Sequence, residues 1–167
     1  MGRIFRPGRF SGATAPEVQS MEVTVGQTFL AGAVLIYEAG NTGKVQEGGA
    51  DPAAIVGIAM EAAGSKPGTN LNFDSTVVAR TGNVFQVSVA KANRTTIFTG
   101  RAVNGGTDPV TPALTDIGKT YSILKSGAGE WTLDAADVAN QRVKIVDVDI
   151  DSKIFFFKVL EANLATP

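Results

Sequence analysis

The chain has 167 residues, 44% of them apolar and 19% charged, with a formal net charge of −1 and neither cysteine nor histidine. Missing His and Cys exclude Ser-His-Asp triads, His- or Cys-ligated metals, thiolate nucleophiles and disulfides. A charge balance so close to neutral gives the whole chain no electrostatic reason to hold nucleic acid. The expectation is a non-enzymatic protein without a cofactor or bound metal, since any catalysis would have to run on Asp, Glu, Lys, Ser, Thr or Tyr alone.

Residues 1–20 read as an extended N-terminal arm. Arg3, Arg6 and Arg9 alternate with Ile4, Phe5 and Phe10, and Pro7, Gly8, Gly12 and Pro16 interrupt any helix or long strand. Such a segment buries too little apolar surface to order itself. A frayed terminus is one reading. Ile4, Phe5 and Phe10 favour the other, an arm that orders on a second protein, with Arg3, Arg6 and Arg9 reaching its carboxylates. No apolar h-region follows these arginines, and no run approaches the roughly 18 apolar residues that span a bilayer, so neither a secretory leader nor a membrane partner is expected.

From Met21 the pattern is β. Met21–Val25 alternates apolar and polar residues. Val34–Tyr37, Lys44–Gln46 and Ile55–Met60 follow, the last broken by Gly57. Thr76–Ala79 and Val84–Ala90 flank a predicted turn at 80–83. Thr95–Thr99, Tyr121–Lys125, Glu130–Leu133, Arg142–Val148 and Ile154–Leu160 complete the set. Short strands at regular spacing predict an all-β fold, a compact β-barrel or sandwich. Short helical turns are predicted at Asp51–Ala54, with Asp51 as N-cap, and at Asp134–Asn140. Residues 100–118 read as a long loop. The β domain spans 21–161, which could divide into lobes at 21–99 and 119–161, and 162–167 form a tail.

Several motifs fail on their own chemistry. Asp147, Asp149 and Asp151 begin a calcium loop, but Ser152 and Lys158 stand where Gly and a bidentate Glu belong, and a hairpin turn explains the spacing equally. Ser122 and Lys125 match S-x-x-K, yet lie in a strand that turns them to opposite faces. Gly43-Lys44 lacks the phosphate-loop spacing. The sequon Asn93-Arg94-Thr95 has no secretory context. Trp131 either anchors an interface or covers one end of a barrel. Phe155, Phe156 and Phe157 in succession must point to both faces of a strand, so that strand lies between two layers or meets a neighbouring subunit.

Gly26-Gln27-Thr28-Phe29, Ala31-Gly32-Ala33-Val34-Leu35, a Gly-rich hairpin through Gly43-Lys44-Val45, and Ile55-Val56-Gly57-Ile58-Ala59 together resemble the capsid cement (decoration) proteins of tailed bacteriophages. In that family a Gly-initiated strand leads through an Ala/Asp-rich loop to a V-G-I/V-A strand, with a Gly following near Gly64–Gly68. The likeness extends loosely over Met21–Ala90 and does not reach 94–167. It implies a virion structural protein, made in the host bacterial cytoplasm, that sits on the outer capsid surface as a homotrimer and bridges major capsid protein subunits. Arg3, Ile4, Phe5, Arg6, Arg9 and Phe10 would then meet the capsid, and Trp131, Phe155, Phe156 and Phe157 would be candidates for the subunit interface. Removing residues 2–18 is expected to spare the β fold and abolish shell binding. A head-fibre base, a tail component and a small-ligand-binding β-barrel are the alternatives.

Overall fold

The computed structural model describes residues 5–8, 15–24, 26–63, 86–127 and 129–166. Its strands are β1 (Arg6–Pro7), β2 (Val18–Val23), β3 (Val34–Glu38), β4 (Asn41–Glu47), β5 (Gly57–Ala59), β6 (Gln86–Lys91), β7 (Phe98–Gly100), β8 (Ala102–Asn104), β9 (Asp108–Pro109), β10 (Thr120–Lys125), β11 (Trp131–Asp134), β12 (Val143–Asp149) and β13 (Ile154–Val159). The fold is mostly β, in two sheets: a closed barrel in the order β2-β4-β3-β5-β6, and an open eight-stranded sheet in the order β1-β7-β13-β12-β10-β11-β8-β9. The all-β expectation holds.

In the barrel β2 and β4 run parallel and every other pair is antiparallel. Closure depends on Gly57. A Cβ there would sit 2.2 Å from the Ala90 carbonyl oxygen and 2.8 Å from Val89 Cγ1, so β5 approaches β6 more closely than any side chain would allow. The interior is filled by Met21, Val23, Leu35, Val45, Val87 and Val89, while the buried Ile58, in register with Val34 and Ala90, lies on the barrel's other face.

In the open sheet β13 alternates cleanly. Along β13, Phe155, Phe157 and Val159 are buried, while Ile154, Phe156 and Lys158 are partly exposed. Pairing is antiparallel except between β8 and β11. One apolar cluster runs through both sheets, joining Val23, Leu35 and Ile58 to Phe98, Trp131, Ile145 and Phe157.

Three local expectations change. The backbone of Asp51 lies at φ 50° and makes no helical turn. Its N–H donates to the Ile123 carbonyl at 2.9 Å, and its Oδ1 accepts from the Ile123 N–H at 2.9 Å, so the capping carboxylate is used on the other sheet. Asp134 ends β11 and accepts the Gly105 and Ala136 N–H groups, and no helix follows. The presumed loop 100–118 contains β8, β9 and a 3-10 turn at Leu114–Asp116. A second 3-10 turn lies at Glu161–Asn163. The predicted strand Thr76–Ala79 and the turn at 80–83 lie outside the described residues.

Candidate functional site

The described part of the arm lies on the chain's own sheet. β1 pairs with β7, Arg6 opposite Thr99 and Pro7 opposite Phe98. The Gly8 N–H donates to the Ile97 carbonyl at 2.8 Å, and the Thr99 hydroxyl donates to the Arg6 carbonyl at 3.3 Å. Phe5 is 1% exposed. Its ring stands edge-on to Phe157, with centroids 5.1 Å apart, and lies over Gly100, where a Cβ would come within 2.6 Å of it. The expectation that Phe5 meets a partner is therefore corrected: it is a core residue, held by a glycine far along the chain. Arg6 points outward and is exposed. Arg3, Ile4, Arg9 and Phe10 lie outside the described residues.

Trp131, Phe155 and Phe157 are likewise internal, at 2%, 0% and 1% exposure, and have no surface left for a subunit contact. The Trp131 Nε1–H donates to Glu47 Oε1 at 3.0 Å. Glu47 Oε2 pairs with Lys125 Nζ at 2.7 Å, and Lys125 Nζ lies 5.6 Å from the centroid of the Trp131 ring. The tryptophan thus locks the barrel to the open sheet. Phe155 packs edge-on against Tyr121, and Phe157 packs in a tilted pair against Phe98. Phe156 alone of the three turns outward, in register with Thr99 and Asp147. Arg6, Thr99, Phe156 and Asp147 therefore form one row across the outer face of the open sheet, since opposed residues share a face.

The other sequence motifs serve the fold. Ser122 is buried on β10. Lys44 pairs with Glu22 at 2.8 Å. Asp149 Oδ1 accepts the Ser152 N–H at 2.9 Å and so closes the β12–β13 turn. Asn93 Oδ1 accepts the N–H groups and hydroxyls of Thr95 and Thr96. Among the described residues, no three carboxylates gather where they could hold a metal ion.

One cluster was not read from the sequence. Asp116, 6% exposed, accepts the Ala113 N–H at 2.9 Å and pairs with Lys119 at 2.8 Å, and its charge acts on the Tyr121 phenol. Burial pushes the Asp116 carboxyl up, but Lys119, the Ala113 N–H and Tyr121 outweigh it and hold the group below its usual value. Burial first, and then the Asp116 charge, push the Tyr121 phenol up to about 12. These bonds fix a turn that carries Leu114 and Ile117, both exposed. The available signal was an Asp three residues before a Lys and five before a Tyr, too common a spacing to single out.

The chain matches no family model and no curated protein.

Proposed function

We propose that this chain is a non-enzymatic virion structural protein, a cement protein that binds the outer surface of a phage capsid and stabilises contacts between major capsid subunits. One observation carries the reading. The segments that resemble cement proteins, around Val34–Leu35, Lys44–Val45 and Gly57–Ala59, fold as adjacent strands β4-β3-β5 of a single closed barrel. They form a continuous piece of scaffold, which supports reading them together.

The test is binding of the purified chain to expanded, emptied heads of the phage that encodes it. Saturable binding at a fixed ratio to the major capsid protein, with outward density by electron cryomicroscopy and a higher temperature of shell disruption, is the expected result. Heads that bind nothing, or density at the tail, would overturn it. Deleting residues 2–18 is no longer a clean test, because it removes Phe5 from the core and Val18 from β2. Arg6→Glu is cleaner, since Arg6 is exposed and its side chain makes no ion pair among the described residues.

A further inference from the structure

The described lysines and arginines fall into two groups. Lys44, Arg94, Lys119 and Lys125 pair with Glu22, Glu161, Asp116 and Glu47. Lys91 lies against the Tyr37 ring and hydroxyl, and Arg142 Nε donates to the Asp51 carbonyl. Arg6, Arg101, Lys144, Lys153 and Lys158 make no ion pair among the described residues. Of these, Arg6, Lys144 and Lys158 share the outer face of the open sheet, and Lys153 lies in the β12–β13 turn beside it.

Within that face Lys144 and Lys158 stand directly opposite each other across β12 and β13. Like charges in that position destabilise an antiparallel pair. The diagonal neighbour Asp147 bonds to neither lysine and instead faces Phe156. Asp149, further along, is committed to the Ser152 N–H. Among the described residues four cations elsewhere are neutralised by carboxylates, whereas Lys144, Lys158 and Arg6 surround the partly exposed Phe156 ring without an ion pair.

On the reading given under Proposed function, we propose that this outer face, centred on Lys144, Lys158 and Arg6 around Phe156, docks an acidic surface of a partner protein. The carboxylates of that surface relieve the lysine–lysine repulsion, and its apolar atoms cover the Phe156 ring. Charge complementarity selects this occupant, because a second copy of the same face would bring lysines against lysines.

The experiment compares the full chain with the double variant Lys144→Glu/Lys158→Glu. That variant keeps a like-charge pair and so leaves the fold's own balance nearly unchanged, which thermal unfolding checks. Arg101→Glu is the control for general charge. Fluorescein-labelled poly-L-glutamate and a labelled DNA duplex are titrated at low salt, and emptied phage heads are titrated in parallel. The expected result is binding of poly-L-glutamate that weakens at least about tenfold in the double variant, as two reversed contact charges imply, and is unchanged by Arg101→Glu. Failure of the wild type to bind poly-L-glutamate overturns the proposal. So does tighter binding of DNA with the same lysine dependence, or self-association that the double variant abolishes. Heads that bind both forms equally overturn this face and leave the capsid reading standing. Lysine-dependent poly-L-glutamate binding with no head binding supports the acidic docking face and rejects the capsid as its partner.

Discussion

Tyr121 and Asp116 show how burial beside a carboxylate sets a pH response. The folded chain holds the Tyr121 proton up to about 12, whereas the unfolded chain releases it near 10. Between those values the unfolded state binds fewer protons, so stability falls as pH rises, on the order of 2 kcal/mol in all. Tyr121→Phe removes this slope, because it removes the titrating group. Asp116 acts in the opposite direction. Its folded value is lowered, so its contribution is present above the ordinary carboxylate range and is lost as pH falls through the folded value. Urea unfolding across pH, compared between wild type and Tyr121→Phe, checks both, and parallel curves above pH 10 would sink the account. Gly100 gives a second test at this scale. A Cβ there meets the Phe5 ring at 2.6 Å, so Gly100→Ala should cost about 1–3 kcal/mol through overpacking. Phe5→Ala alone should cost about 3–5 kcal/mol. In the Phe5→Ala background most of the Gly100→Ala penalty should vanish, a coupling that a double-mutant cycle reads directly.

At the scale of strands, the sequence was readable wherever a segment's own alternation decided its fate. β10, β12 and β13 lie close to their predicted ranges because Tyr121, Ile123, Val143, Ile145, Phe155 and Phe157 enter the core at every second position, whereas β2 begins three residues before its predicted start at Met21. The misses share one cause, a partner distant in sequence. β8 exists because β11 lies beside it in parallel. Asp51 caps no helix because Ile123 takes both its backbone N–H and its carboxylate. Phe5 was assigned to a partner because nothing near it could bury it, and its socket is made by Gly100 and Phe157. Of the candidate site, the sequence identified the outward aromatic at Phe155–Phe157 but not which ring emerges, since that follows from register alone. Register also yields a prediction. Lys144→Glu turns the repulsive pair with Lys158 into an attractive one, and should raise stability by roughly 0.2–1 kcal/mol while weakening binding to an acidic partner. Denaturant midpoints and poly-L-glutamate titration on the same variant measure the two effects, and movement of both in the same direction would contradict the docking role.

At the scale of the molecule, the question is whether barrel and sheet unfold as one unit. They share an apolar cluster, and polar joints lie along the seam. The Trp131 and Lys125 side chains meet Glu47, and Asp51 meets Ile123 and Arg142. The C-terminal segment is stitched to the barrel as well. The Ile55 N–H donates to the Asn163 carbonyl at 2.7 Å, the Ala165 N–H donates to the Ile55 carbonyl at 2.9 Å, and Asn163 Nδ2 donates to the Ala53 carbonyl at 3.0 Å. A seam built this way couples the sheets, so a single cooperative transition is expected. Trp131 is the chain's one tryptophan, and it sits on the seam, so its fluorescence reports the joint while far-UV circular dichroism reports all strands. The two should give coincident urea curves. Glu47→Ala strips the buried indole N–H of its acceptor and should cost about 1–3 kcal/mol, displacing both curves together. Glu47→Gln retains a carbonyl oxygen for the indole and loses the charge facing Lys125, so its cost should be smaller. If fluorescence shifts in Glu47→Ala while circular dichroism stays in place, the sheets open independently, and the shared core does not bind them into one folding unit.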